Sequence, residues 1–185
     1  MNYEELLESR NGAALKKEQM PFGSFYKKMQ EKKYVNVVDI SNALLADTFF
    51  CDALEAESKQ VAGLTTRHQL HFTVNSDSAG VYGITLEQGN FHTCKRLLFD
   101  NPATIAEKGF VDNAIKQVME AAEQLHEQGI YHVCYSPDNI FIRRGDNMVM
   151  LLLHGSSYTR IRDQKLLYEG AEDYVAPEVL EGNAA

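Results

Sequence analysis

The sequence predicts an α+β fold in which a strand-rich first half, residues 1–88, gives way to a second half, residues 89–185, that opens helical. Three observations carry that prediction. Tyr34–Ile40 (YVNVVDI) is an apolar, β-branched run of strand length. Residues 70–86 alternate apolar and polar around Asp77-Ser78-Ala79-Gly80, the pattern of a hairpin. Residues 111–128 carry Val111, Ala114, Ile115, Val118, Met119, Ala122 and Leu125 as one apolar stripe at helical spacing, closed by Gly129.

The elements follow in order. Residues 2–10 read as a short amphipathic helix with Tyr3, Leu6 and Leu7 on one face and Gly12 past its end. Pro21–Ser24 reads as a turn. After the strand at 34–40, Asp47 is placed to cap a helix from Thr48 to Ala62, which Gly63 stops. Phe50, Leu54 and Val61 give that helix its apolar face. Leu70, Phe72 and Val74 form the first arm of the hairpin and Val81–Leu86 the second. Glu87-Gln88-Gly89-Asn90 breaks the pattern and reads as a linker, so the boundary between the halves falls near residue 88. Beyond the long helix come a loop through Pro137, a strand Ile140–Arg143, a turn at Gly145-Asp146-Asn147 and a strand Met148–Leu153.

Composition narrows the function classes. The 185 residues carry a net charge of -8. An acidic surface argues against nucleic-acid binding, which needs Lys and Arg on phosphates, and against docking on anionic lipid. The cysteines Cys51, Cys94 and Cys134 have no CxxC spacing and read as free thiols of a reducing compartment. His68 and His71 lie three apart without a Cys or Asp partner at metal-binding spacing. No apolar run approaches the ~20 residues of a membrane span. The start, Met1-Asn2-Tyr3-Glu4-Glu5, lacks the basic and apolar regions of a signal peptide. A cytoplasmic location is the expectation, with no nucleic acid and no membrane among the partners of this segment.

The stretch Leu125–Ile142 (LHEQGIYHVCYSPDNIFI) resembles the catalytic loop of eukaryotic-type protein kinases, whose pattern is close to LHxxGIxHRDLKPENIL. It keeps the pattern's His132, Pro137 and Asn139. Leu153-His154-Gly155 stands where that family has DFG, and Asp173-Tyr174-Val175-Ala176-Pro177-Glu178 resembles the YxAPE end of the activation segment. The resemblance implies a protein kinase-like fold. Residues 1–88 correspond to an N-lobe and 89–185 to a partial C-lobe that ends after the activation segment.

The same resemblance specifies what phosphoryl transfer would need. Catalysis there is positioning plus charge neutralisation: a glycine-rich loop, a strand Lys paired with a helix Glu, a catalytic Asp, and metal ligands. Of the glycine-rich loop only Gly23 remains, with Glu18 and Met20 at the other two glycine positions. Val38 stands at the strand Lys. Glu57, or Glu55 in the neighbouring register, stands at the helix Glu, with a solvent-exposed helix residue as the open alternative. Val133 and Cys134 replace the Arg and Asp of HRD, Ser136 replaces the following Lys, and Leu153 replaces the DFG Asp. A thiol is a poor substitute for a carboxylate that accepts a substrate proton. Asn139 keeps the magnesium-ligand type, but one neutral oxygen is a weak site, and it reads as a brace for the loop.

The expectation is a pseudokinase: not an enzyme, with no cofactor, no ATP or magnesium binding in view of Val38, Cys134 and Leu153, and with Gly23, Glu57 and Asn139 as vestiges. Two alternatives stay open: a pseudokinase that holds nucleotide without transferring phosphate, and a Cys-dependent enzyme built on Cys134 and His132. The resemblance implies large C-lobe helices over the stripe at 111–128 that are not among these 185 residues, so a protein partner or a homodimer on that face is the expectation, with further sequence beyond Ala185 or a rearranged packing as open alternatives.

Overall fold

Hydrophobic positions on successive strands set up one face of an antiparallel sheet. The computed structural model describes residues 17–30, 32–100, 102–130, 135–152 and 174. The helix expected at 2–10 lies outside the described residues. So do His132, Val133, Cys134, Leu153, His154, Gly155, Ala176, Pro177 and Glu178.

The first sheet has five strands: β1 (Glu18–Met20), β2 (Gly23–Gln30), β3 (Lys33–Ile40), β4 (Phe72–Asp77) and β5 (Gly80–Leu86), in the order β1-β2-β3-β5-β4. The expected turn at Pro21–Ser24 narrows to Pro21 and Phe22, because Gly23 and Ser24 already pair with β3. Phe25, Val38, Ile40, Phe72, Ile84 and Leu86 are buried together. Between β3 and β4 lie the single turn α1 (Asn42–Leu45) and the helix α2 (Thr48–Ala62). Asp47 caps α2 as its sequence predicts, its carboxylate accepting from the backbone N–H groups of Phe49 and Phe50. Phe50, Leu54 and Val61 face the core, and Ser58 Oγ donates to the Phe72 carbonyl at 2.9 Å.

Residues 87–90 are neither helix nor strand. Asn36, buried in β3, holds this stretch by donating to the carbonyls of Glu87 at 3.4 Å and Gly89 at 2.9 Å. The second half then opens on a strand, not on a helix: β6 (Phe91–Thr93) joins β7 (Ile140–Arg143) and β8 (Met148–Leu151) in a second sheet of order β6-β7-β8. Three residues are too few to show a period, which is why the sequence hides β6. Thr93 also caps the helix that follows, α3 (Cys94–Asp100), its hydroxyl accepting from Arg96 N at 3.1 Å. Next come α4 (Pro102–Ala106) and α5 (Phe110–Glu127).

The stripe expected on α5 divides. Ala121 and Leu125 are buried, with Phe110, Ala114 and Val118 packed against them. Val111, Ile115 and Met119 are 46%, 54% and 67% exposed. Gly129, at φ 75°, turns the chain away as expected.

The core crosses from one sheet to the other. Phe25 and Phe141 meet edge to face at 5.3 Å, and Phe91, Met150 and Leu152 join the cluster that includes Phe50 and Leu54. Residues 65–70 complete the connection. Thr66 Oγ1 donates to Gln124 Oε1 at 2.6 Å, and Arg67 pairs with Glu120 on α5 at 3.1 Å. Buried His68 donates from Nδ1 to the Val149 carbonyl at 2.9 Å and accepts at Nε2 from Arg67 Nε. Leu70 N–H donates to Leu151 O, and Leu151 N–H returns to His68 O.

Candidate functional site

The sequence-predicted site residues that the structure describes lie on three elements and one loop. Gly23 sits at the start of β2, paired with Met20 on one side and Ile40 on the other. A Cβ at Gly23 would overlap the Asp39 carbonyl oxygen, so the glycine lets two strands approach. A two-residue turn, Pro21 and Phe22, joins β1 to β2.

Val38 lies in the middle of β3, opposite Phe25 on β2 and Ile84 on β5, and is fully buried. Its neighbours are apolar, and a branched aliphatic side chain fits them. Glu57 is also fully buried, on the inner face of α2 beside Leu54 and Val61. The open alternative of an exposed helix glutamate is therefore set aside. Apolar residues at helical spacing mark the inner face of α2, but Glu57 breaks that pattern, so periodicity alone leaves its orientation undecided.

Asn139 braces its own loop. Its Oδ1 accepts from the backbone N–H of Ser136 at 3.0 Å and from Ser136 Oγ at 2.7 Å. Ser136 and Asn139 are both buried. The Asn139 carbonyl takes Leu152 N–H at 2.9 Å, which fixes the loop to the end of β8. Pro137 is anchored through its carbonyl, which accepts from Lys95 N–H at 2.9 Å.

Two contacts that the sequence does not reveal organise the space between β1 and α3. Lys95 Nζ pairs with the nearly buried Asp138 carboxylate at 2.9 Å. The Thr93 hydroxyl donates to Glu18 Oε1, fastening β1 to the start of α3. A cleft of about 310 Å³ opens beside them, lined by Lys17, Glu18, Gln19, Lys95, Arg96, Phe99 and Asp100. Burial raises the Glu18 pKa above the ordinary carboxylate value, against the lowering effect of the Thr93 hydroxyl. A thiol does no better here as an anion: burial raises the pKa of Cys94.

Among the described residues no group of three or more His, Cys, Asp or Glu is arranged to hold a metal ion. No helix among them is long and apolar enough to cross a membrane.

No protein-family model matches the chain. It is 31% identical over 90 residues to calcium/calmodulin-dependent protein kinase type 1 of Macrobrachium nipponense, a match that covers 45% of this chain and 25% of that protein. It is 33% identical over 95 residues to human calcium/calmodulin-dependent protein kinase type IV, covering 47% of this chain and 20% of that kinase. The chain thus spans a quarter or less of the length of these relatives. Among solved structures, the kinase domain of Mycobacterium tuberculosis PknI, in a double-mutant form, superposes with a TM-score of 0.66 at 18% identity, over 95% of this chain and 68% of that one. The antiparallel sheet, the helix α2 with its buried inner face, and the helix–loop–hairpin of α5, β7 and β8 thus belong to one architecture: the chain has an α+β, protein kinase-like fold.

Proposed function

We propose that this chain is a catalytically inactive, protein kinase-like module that acts by binding a protein, in the cytoplasm. The observation that carries the reading is Val38. It is fully buried between Phe25 and Ile84 at the position where the kinase resemblance calls for a phosphate-binding lysine. An aliphatic side chain supplies no charge to α- and β-phosphates. The short β1–β2 turn and the Asn139 oxygen turned to Ser136 point the same way. The substitutions at Cys134 and Leu153, outside the described residues, complete the proposed loss of the catalytic Asp and the metal-binding Asp.

The binding surface in this reading is the outer side of α5, where Val111, Ile115 and Met119 face solvent. A protein partner or a second copy of the chain would cover it. In the proposed organisation residues 1–88 form the N-lobe-like part and 89–185 the partial C-lobe-like part.

Transfer of label from ATP to the chain itself and to a general protein substrate tests the central claim. No incorporation above a protein-free control is expected, with magnesium or manganese. Incorporation that scales with protein concentration would overturn it. A thermal shift with millimolar ATP, run with and without magnesium, separates the pure binding module from a nucleotide-holding one. No shift is expected.

A further inference from the structure

The exposed ridge of α5 has a charged border on one side only. At 3.6 residues per turn, Val111, Ile115 and Met119 stand four apart and form one row along the helix. On one flank of that row Ala114, Val118 and Leu125 pack into the chain's own core. On the other flank lie Asp112, Lys116, Glu120, Glu123 and Glu127. Of these, Asp112, Lys116, Glu123 and Glu127 are exposed. A broad groove runs beside Met119 along this flank, lined by Lys116, Glu120, Glu123, His126 and Glu127 among others.

The border stays acidic when every charge on the helix is counted. Asp112, Glu120, Glu123 and Glu127 stand against Lys116, with His126 taken as neutral. Arg67, reaching in from the segment at 65–70, balances Glu120 at 3.1 Å. Asp112, Glu123 and Glu127 form no ion pair among the described residues. Four carboxylates against two cations leave two negative charges in excess on this face.

Ridge and border together discriminate among occupants. Anionic lipid and nucleic acid are repelled by carboxylates. A second copy joined by a two-fold axis brings the same patch to both sides of the interface, acidic border to acidic border. A segment with an apolar row and Lys or Arg beside it is attracted on both counts.

We propose that this face docks a basic amphipathic helix of another protein. The inference rests on the protein-binding reading above and names the chemistry of the partner. The aliphatic row supplies the contact area, and the partner's apolar residues at i, i+4 and i+7 seat beside Val111, Ile115 and Met119. The border sets which way the partner helix lies, because its Lys and Arg must fall on the side of Glu123 and Glu127.

The test is fluorescence anisotropy of the full chain with three labelled helical peptides of about 14 residues, long enough to run past both ends of the row. The first carries a leucine row flanked by lysines. The second has the same composition in scrambled order, and the third has glutamate in place of lysine. Saturable binding of the first is expected, at least about tenfold tighter than that of either control. Glu123→Lys should weaken it about tenfold, through a lost attraction and an added repulsion. Asp52→Lys on α2, the same charge change at another exposed carboxylate, should leave it unchanged. Equal binding of the scrambled peptide, or equal losses in the two variants, would overturn the proposal. A wild-type dimer in light scattering that Met119→Lys dissolves would also overturn it, because the face then belongs to a second copy, and the protein-binding reading would stand. A chain that stays monomeric and binds none of the peptides overturns both the basic partner and the choice of this face.

Discussion

At the residue scale several positions of the first sheet are set by packing. Gly23 is required by the approach of β2 to the Asp39 carbonyl, whether or not a phosphate is ever present. Gly83 repeats the device on β5, where a Cβ would stand 2.5 Å from the Val38 carbonyl oxygen. Glu18 gives a prediction. Burial raises its pKa above the ordinary value near 4.5. A carboxyl group held protonated more tightly in the folded chain stabilises that chain at low pH, and this contribution disappears as pH rises through the folded pKa. Glu18→Gln, whose amide oxygen still accepts from Thr93, should therefore be more stable than wild type at neutral pH. The difference should vanish below about pH 4, where both side chains are neutral. Urea denaturation at several pH values measures it, and a wild type more stable than the variant at neutral pH would contradict the assignment. Glu18 also shows where sequence reading stops. Its partner Thr93 is 75 positions away and the Lys95–Asp138 pair spans 43, distances over which no local pattern carries information.

At the scale of elements, the legible ones are those with a strong local signal. The helix Thr48–Ala62 is read to the residue because Asp47 supplies a cap and Gly63 a stop. Asp47→Ala should cost about 1 kcal/mol, the ordinary worth of such a cap, read as a lowered urea midpoint at unchanged slope. A loss below a few tenths would mean that α2 is held by packing alone. The strands at 34–40 and 140–143 are equally clear, since β-branched and apolar residues leave few other options. The first hairpin, β1 with β2, is only half legible: Glu18–Met20 is short, and β2 ends in Lys27, Lys28 and Gln30 without sustained alternation. The α5 stripe shows a different limit. Seven apolar positions were visible, but periodicity marks a face without saying how much of it this chain itself covers, and the covered part is the narrower ridge through Ala121 and Leu125.

At the scale of the molecule, the outer ridge of α5 is an apolar surface exposed among the described residues. Ile115→Lys and Met119→Lys replace exposed side chains, so each should change stability by no more than about 0.5 kcal/mol. Both should abolish self-association or partner binding if that ridge is the contact. Light scattering of wild type and variants over a concentration series checks this, and wild type that is monomeric at every concentration would exclude the homodimer. The kinase-like architecture was legible because the motif order fixes it even where single residues have changed. The boundary expected near residue 88 was read from the break in strand pattern at Glu87-Gln88-Gly89-Asn90, and such a break says nothing about what crosses that point.

What crosses it is the reciprocal pair between residues 68–70 and Leu151, together with the phenylalanines that meet across the sheets. An opening that separates the two sheets must break both of these backbone hydrogen bonds and expose Phe25 and Phe141 at once. The amides of Leu70 and Leu151 then exchange with solvent only through that large event, never through fraying. A protease searching for a nick between the halves would find the linker reachable and the halves still joined after cleavage. The expected outcome is one unfolding transition in which both sheets are lost together, so protection of the Leu70 and Leu151 amides should disappear at the same urea concentration.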